Sequence, residues 1–216
     1  MDLTTIDHLL TTTRSVRLRL DLKKPVEPEI IQRCIEIAIQ APTASNNQRW
    51  HFVIVSDPQK RAGVGALYRR SYMIYQEANR EQDAVYRSRP DDPFAVQMLR
   101  MRKSALYLAE HMGDVPVLVI PCQEGRVENA GAQSQASFYG SILPATWSFM
   151  LALRARGLGS AWTTLHLRYE KEVANILGIP DTVTQAALLP VAYYTGEDFV
   201  PAKRLPIAER LHWDSW

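Results

Sequence analysis

The most constraining feature of the sequence is a helical pattern over residues 133–156 that is apolar on nearly every face between Ile142 and Leu153. A helix that is apolar all round needs packing partners on every side, so it belongs in a protein core. Its apolar stretch of 12 residues is shorter than the roughly 20 residues that span a bilayer. We therefore expect a buried helix and no membrane association. Pro144 predicts either a kink in this helix or the start of its regular part.

Helix and strand patterns are mixed along the rest of the chain. Helices are predicted over residues 28–41, from 58 to the region 68–75, over 94–111 and over 169–177, and strands over 50–55, 115–122, 160–164 and 185–194. Asp57-Pro58 and Asp92-Pro93 each supply an N-cap residue followed by the proline that suits the first turn of a helix. No repeat, low-complexity run or linker divides the chain. The sequence thus predicts one α+β domain over residues 1–216.

The charge balance and the cysteines limit the possible function classes. Twenty-five Lys and Arg oppose 23 Asp and Glu, for a net charge of +2, without the basic excess that binding to a nucleic-acid backbone requires. The N-terminus shows no basic segment followed by an apolar one, so we expect no secretory signal. Cys34 and Cys122 are isolated, which predicts two small core residues. We expect a cytoplasmic protein that binds no nucleic acid.

Several common catalytic motifs do not occur in the sequence. The five histidines are scattered and none forms H-E-x-x-H. No serine lies in a G-x-S-x-G turn. The pairs Gly63/Gly65 and Gly157/Gly159 lack the third glycine of the dinucleotide fingerprint, and neither leaves a strand to open a helix. The sequence therefore predicts no metal site and no hydrolase triad, and it argues against a Rossmann fold.

Three polar segments remain as candidate binding elements. Residues 13–17 (TRSVR) combine two arginines with a serine, which suits a phosphate or a solvated basic turn. Residues 41–50 (APTASNNQRW) offer small residues and amides to a flat heterocycle, or form a polar loop rich in turn residues. The third element combines residues 157–164 (GLGSAWTT) with residues 201–206 (PAKRLP). If the fold brings the chain ends together, the cations of the first and third elements form one phosphate pocket.

The C-terminal tail, residues 200–216, has no strong periodicity but is rich in large apolar side chains. These are Leu205, Ile207, Leu211, Trp213 and Trp216. They carry too much apolar surface for a solvated terminus, so we expect the tail to pack on something, and a second subunit is one candidate.

Four motifs in this order resemble the FMN-dependent nitroreductase family. They are R-S-x-R near the N-terminus, A-P-T-A-S-N-N-Q-x-W before a strand, G-L-G-S-A-W after a long helix, and a closing L-P-V-A-Y followed by K-R-L-P. The resemblance covers essentially the whole chain and is weakest over residues 61–102. It implies an α+β, nitroreductase-like fold with a central, mostly antiparallel sheet flanked by helices. It also implies an intertwined homodimer with an extended C-terminal tail and two FMN sites at its interface.

The resemblance assigns a place at the flavin to each candidate residue. Arg14 and Ser15 would contact the ribityl phosphate region, and Arg17 the pyrimidine edge near N1 and O2. The loop would contribute, in part from the other subunit, Pro42, Thr43, Ala44, Asn46 and Gln48. The residues lining the ring would be Trp162, Thr163 and Thr164, with a backbone or hydroxyl donor near N5.

The phosphate end of the site departs from the family pattern in two places. Arg204 would bind the phosphate, and Lys203 would either help it or face solvent. Many relatives carry a second arginine where this chain has Thr13, and some carry a lysine where it has Ala202. The assignments of Arg14 and Lys203 therefore depend on how the chain folds.

The implied activity is a ping-pong hydride transfer from NADH or NADPH, through FMN, to an electron-poor acceptor such as a nitroaromatic or a quinone. The flavin carries the chemistry, so no catalytic side chain is required. Residues 68–102 would form a lid whose tyrosines (68, 72, 75 and 86) stack on an aromatic acceptor and whose arginines (69, 70 and 100) bind an acidic group, or they are solvent-exposed helices. The alternatives are a non-catalytic flavin-binding module and a specialised member, such as a reductive dehalogenase or a flavin-cleaving enzyme.

Overall fold

The computed structural model describes residues 2–216, which form seven α-helices and five strands. The helices are α1 Leu3–Thr12, α2 Pro28–Ala38, α3 Pro58–Ala78, α4 Arg80–Arg87, α5 Pro93–His111, α6 Ala132–Arg154 and α7 Glu170–Leu177. The strands are β1 Trp50–Val55, β2 Val117–Glu124, β3 Leu158–Ser160, β4 Val183–Gln185 and β5 Leu189–Tyr193. Most predicted elements are confirmed with ends shifted by up to three residues. The sequence patterns miss α4 and misplace two strands.

The two misplaced strands concern the part of the sheet that is formed by β3, β4 and β5. The sheet order is β1-β2-β5-β3, with β4 also beside β2, and every pair of named strands is antiparallel. The predicted strand 185–194 is two strands, because β2 pairs with β5 over residues 117–119 and with β4 over 122–124. Pro121, which has no N–H to donate, lies at this break, and its carbonyl accepts from the Ala186 N–H. The predicted strand 160–164 is wrong because β3 ends at Ser160.

The sheet separates two apolar clusters, since alternate residues of a strand point to opposite faces. Leu118, Ile120 and Cys122 pack in a cluster with α3, α5 and α7, whereas Val117 and Val119 pack in a cluster with α2 and α6. The predicted central sheet flanked by helices is therefore confirmed. Cys34 and Cys122 are both free and buried, as predicted.

Helix α6 is continuous through Pro144, so the proline does not mark where the helix begins. Its buried residues include Ile142, Phe149 and Leu153, as the apolar pattern predicts. One face is left uncovered, because Trp147 is 40% exposed. Large exposed aromatic rings on a core helix indicate a face that packs on another molecule.

Local signals explain where helices α3 and α5 begin. The Asp57 and Asp92 carboxylates accept hydrogen bonds from the Lys60 and Phe94 N–H groups, so both predicted caps are confirmed. Gly65 has a packing role, because a Cβ there would lie 2.6 Å from the Gly113 nitrogen.

The tail, residues 200–216, contains a single 3-10 turn, Ile207–Glu209, and contacts little of its own chain. Leu205 is 65% exposed, Ile207 74%, Trp213 80% and Trp216 101%. The apolar surface noted in the sequence is therefore not covered within one chain. Among residues 2–216, no helix combines the length and apolar character needed to cross a membrane.

Candidate functional site

The first and third predicted segments meet along strand β3. Ser15 forms a parallel bridge with Ser160, and the Val16 N–H donates to the Ser160 carbonyl at 2.8 Å. Gly159 permits this approach, because a Cβ there would lie 2.9 Å from the Cβ of Val16. Gly157 has a φ of +77°, in the left-handed region that favours glycine. Both glycines of G-L-G-S-A-W thus serve the junction of α6, β3 and residues 14–17.

Arg17 is the cation that this junction turns inward. It is half-buried beside Tyr68 and Tyr72, and burial lowers the pKa of its guanidinium. Within residues 2–216, no carbonyl, carboxylate or hydroxyl accepts a hydrogen bond from that guanidinium. A partly desolvated cation without a partner costs free energy unless a ligand supplies acceptors. Arg17 therefore marks a place for a carbonyl-rich or anionic group.

Tyr68 and Tyr72 do not form an exposed stacking surface. They are 3% and 2% exposed, and the Tyr72 hydroxyl donates to the Arg102 carbonyl at 3.2 Å. Burial raises the pKa of Tyr68 to about 12, against the opposing effects of the Thr163 hydroxyl and Arg17. The two rings instead form a wall behind Arg17.

The two remaining lid tyrosines, on α3 and α4, are half-buried. Tyr75 lies under the Arg102 guanidinium, 4.7 Å from its ring centroid, and Tyr86 packs edge-on against Phe94 at 6.0 Å. The three arginines proposed to bind an acidic group, 69, 70 and 100, are exposed. Arg102 was not singled out in the sequence, yet it joins these helices through Asp83 (3.0 Å) and Asn79 (2.8 Å).

The segment 162–164 is hydrogen-bonded to Leu188 through Thr163. The Thr163 N–H and hydroxyl both donate to the Leu188 carbonyl, at 3.2 and 2.6 Å. Trp162 is half-buried against the cluster that contains α2 and α6. Thr164 is exposed, and no acceptor within residues 2–216 takes its N–H. Thr164 can therefore donate its N–H to a ring, and so can Trp162, whose backbone N–H also has no acceptor among residues 2–216.

The loop 42–48 is a strained segment attached to helix α6. Ser45, Asn46 and Gln48 have φ values of 52°, 52° and 51°, a region that costs non-glycine residues free energy. The Ala44 N–H donates to the Ser141 hydroxyl at 3.0 Å. Pro42, Asn46 and Gln48 are exposed, and Thr43 and Ala44 are half-buried. In the described chain, no hydrogen bond or ion pair joins this loop to residues 14–17 or 162–164.

The tail begins beside Arg14. The Arg14 guanidinium donates to the Val200 carbonyl at 3.2 Å, so the chain ends do come together. Lys203 and Arg204 are exposed, and neither forms a hydrogen bond or ion pair in the part of the chain that the structure describes. The predicted cluster of cations is therefore only partly assembled in one chain.

The predicted residues lie away from a cavity beside the sheet. A cavity of about 580 Å³ lies beside β1, β2 and α7, lined in part by Arg49, His51, Cys122 and Glu124. None of the thirteen candidate residues borders it. Small-molecule sites are concave, so the candidate residues need further walls from another molecule.

Two residues that anchor candidate segments were not singled out in the sequence. Ser141 holds the loop, and Arg154 holds the segment that leads into the tail. Both are polar residues that border the apolar stretch Ile142–Leu153 of α6, and that position is the signal that could have found them, because buried polar groups are satisfied by specific partners.

The sequence profile of the nitroreductase family matches residues 10–193. The chain belongs to the nitroreductase family. It is 22% identical, over 96% of its length and 97% of the relative's, to a protein of Archaeoglobus fulgidus named for NADH dehydrogenase and NAD(P)H nitroreductase activities. It is 26% identical to human iodotyrosine deiodinase 1 over 93% of its own length, and spans 65% of that protein.

A solved structure of oxidised iodotyrosine deiodinase bound to FMN and 3-iodo-L-tyrosine has the same fold. The TM-score is 0.68 at 20% identity, over 96% of this chain and 98% of that one. This likeness confirms the predicted nitroreductase-like fold. The tail residues 203 and 204 lie beyond the residues that the family profile matches.

Proposed function

We propose that this protein is a cytoplasmic, FMN-dependent oxidoreductase that takes hydride from NADH or NADPH and delivers it to an electron-poor acceptor, such as a nitroaromatic or a quinone. The family supports an oxidoreductase that uses a flavin. The observation that carries the proposal is the half-buried, unpartnered guanidinium of Arg17 beside the Ser15–Ser160 bridge. Two free, buried cysteines suit a reducing compartment.

The junction at β3 would hold the ring of a flavin. Arg17 offers donors and a positive charge to the pyrimidine edge, and Thr164 offers its N–H to N5. FMN bound there would supply the two-electron hydride chemistry, so the chain needs no acid or nucleophile of its own. A fixed cation in a partly desolvated site favours added negative charge on the pyrimidine edge, so Arg17 would favour reduction.

The phosphate end of the site would be built from two parts of the chain. Arg14 and Ser15 lie at the start of the junction, and Arg14 already contacts Val200. Arg204 follows four residues later and would close on the phosphate, because a guanidinium donates two parallel hydrogen bonds to its oxygens. Lys203 lies beside it and would add charge.

We propose a homodimer in which a second copy completes each site. The loop 42–48 is exposed and separate from Arg17 in one chain, so it would serve the flavin of the partner. Trp147 on α6 and the apolar tail supply uncovered surface of the kind that subunit interfaces bury. Each dimer would then hold two flavins between its chains.

A second candidate is a specialised activity of the same flavin. The identity to iodotyrosine deiodinase favours a reductive dehalogenase. A flavin-cleaving enzyme and a non-catalytic flavin-binding module would use the same site. These functions differ in whether the flavin reacts and with which molecule, and each would hold the flavin at the β3 junction.

Anaerobic reduction tests the proposal. The purified protein should be yellow, release FMN on denaturation, and bleach on addition of NADH or NADPH. A colourless protein that cannot be reconstituted with FMN would refute the proposal. A yellow protein that neither donor bleaches would be a binding module or a member that uses another donor. Turnover with nitroaromatic, quinone, enone and halophenol acceptors then separates reductase from dehalogenase.

A further inference from the structure

Arg154, the last residue of helix α6, contacts the segment that leads into the tail. Its side chain is 11% exposed, and its guanidinium forms an ion pair with Asp198. It also donates to the Tyr194 hydroxyl at 2.8 Å and lies 5.1 Å from the centroid of the Phe199 ring. A long helix of the core therefore holds residues 194–199 by charge, hydrogen bonding and ring contact.

Asp198 connects the same segment to helix α1. The His8 ring nitrogen Nε2 lies 2.6 Å from the second carboxylate oxygen, and the Phe199 N–H donates to the first at 2.7 Å. These two contacts, followed by Arg154, lower the pKa of the Asp198 carboxyl to about 2. The carboxylate is therefore charged at neutral pH, and its ion pair with Arg154 persists there.

Arg19 also fixes the segment that leads into the tail. Its Nε–H donates to the Thr195 carbonyl at 2.5 Å, and a second nitrogen donates to the Glu197 carbonyl. The guanidinium also lies 4.2 Å from the Phe199 ring centroid. Two arginines from different parts of the chain thus hold residues 194–199, whereas most residues after Val200 are exposed.

We propose that Arg154 and Asp198 are positioning residues for the phosphate contact of the tail, an inference that rests on the proposed function. They fix the chain at Val200, which Arg14 contacts at 3.2 Å. From there Arg204 can lie at most about 14 Å away, since an extended residue spans about 3.5 Å. The pair therefore keeps Arg204 within reach of the phosphate that Arg14 and Ser15 would bind. Neither Arg154 nor Asp198 would contact the flavin itself.

Asp198→Asn tests the pair, because it removes the charge while keeping the shape of an exposed side chain. Calorimetric titration of the full-length apoprotein with FMN and with riboflavin is the readout. We expect the Kd for FMN to rise about tenfold, a change of about 1.4 kcal/mol, and the Kd for riboflavin to change less than twofold. Arg154→Lys should retain most of the FMN affinity, and Arg154→Met should lose it.

A double-variant cycle separates positioning from a purely structural role. In the Arg204→Ala background, Asp198→Asn should not weaken FMN binding any further, because the phosphate contact that Asp198 positions is already lost. The proposal would be overturned if FMN and riboflavin lost affinity equally, or if the losses of FMN affinity were additive in the double variant. Glu36→Gln removes the exposed Arg33–Glu36 ion pair on α2 and should leave both affinities unchanged.

The outcomes also separate this inference from the proposed function. A wild-type apoprotein that binds neither FMN nor riboflavin would contradict both. A different result would contradict the positioning role alone. In that case the wild type binds FMN and Arg204→Ala weakens the binding, but Asp198→Asn and Arg154→Met leave it unchanged.

Discussion

The candidate site has two halves that differ in how they are held. In the sheet-bound half, residues 14–17 and 160–164, backbone hydrogen bonds join residue 16 to β3 and Thr163 to Leu188. Within the described chain, the exposed half, residues 42–48 and 200–204, forms no backbone hydrogen bond with the sheet. In the sheet-bound half, Val16 and Ser160 share a hydrogen bond of 2.8 Å and Gly159 leaves no room for a side chain. In the exposed half, most candidate residues face solvent, and the loop has three residues at positive φ.

This difference indicates how the site is assembled. One chain organises the surface that would meet the flavin ring, because that surface is continuous with the sheet. The loop and the tail are each anchored at one end, by Ser141 and by Arg154. Their exposed residues lack the contacts that would hold them on a ligand, and a second chain would supply those contacts.

The largest effect on stability and flavin binding is expected at Gly159, where the sheet-bound half is most tightly packed. Gly159→Ala places a Cβ 2.9 Å from that of Val16, and overpacking of this kind costs about 1–3 kcal/mol. We expect a lower free energy of unfolding and loss of both FMN and riboflavin binding, measured by chemical denaturation and by flavin titration. Gly131→Ala is the control, because its Cβ would meet nothing within 4 Å. Normal flavin binding by Gly159→Ala would mean that residues 14–17 do not shape the site.

Replacement of Arg17 should weaken the binding of FMN and of riboflavin equally. Arg17→Met removes a charge-assisted contact to the ring, and contacts of this type contribute about 1.5–3 kcal/mol. The Kd should therefore rise by about 10- to 150-fold for FMN and riboflavin alike. The reduction potential of the bound flavin should also fall, as spectroelectrochemistry would show. A loss confined to FMN would instead place Arg17 at the phosphate.

Arg204 should matter for FMN alone. Arg204→Ala should raise the Kd for FMN by about tenfold or more, since a charge-assisted hydrogen bond is lost, and leave that for riboflavin nearly unchanged. Lys203→Ala serves as the neighbouring control and should have a smaller effect. Parallel losses for the two ligands would show that the tail does not contact the phosphate.

The smallest effect is expected at the anchor of the loop. Ser141→Ala removes the acceptor of the Ala44 N–H, a hydrogen bond of about 1 kcal/mol. The Kd for both flavins should rise about two- to fivefold, because the loop retains its other contacts. Ser148→Ala, on the same helix, should have no effect. An unchanged Kd in Ser141→Ala would mean that the loop does not contribute to flavin binding.

Helix caps could be predicted from the sequence, whereas contacts between distant segments could not. The caps Asp57 and Asp92 act within three residues of themselves, so their patterns alone place α3 and α5. The split of the last strand depends on which partner β2 meets on each side of Pro121, which no local pattern encodes. Likewise, Tyr68 and Tyr72 fit an exposed lid in sequence, but the packing of α3 on the sheet buries them.

The candidate site follows the same rule. The motifs place Arg14, Arg17 and Thr164 at one junction because their segments flank β3, directly or through the Ser15–Ser160 bridge. The anchors Ser141 and Arg154 contact residues 97 and 44 positions away, so no local motif links them to their partners, and only their polar side chains at the edges of the apolar stretch of α6 indicate them.

A hybrid dimer tests most directly whether each site is shared between two chains. One chain would carry Arg17→Met and the other Asn46→Val, because a β-branched residue is strongly disfavoured at the φ of 52° that Asn46 adopts. If the loop of one chain serves the Arg17 of the other, one of the two sites in the hybrid is intact. The account predicts one FMN per two chains, bound with wild-type affinity, while both parent homodimers bind weakly. Weak binding at both sites of the hybrid would contradict it.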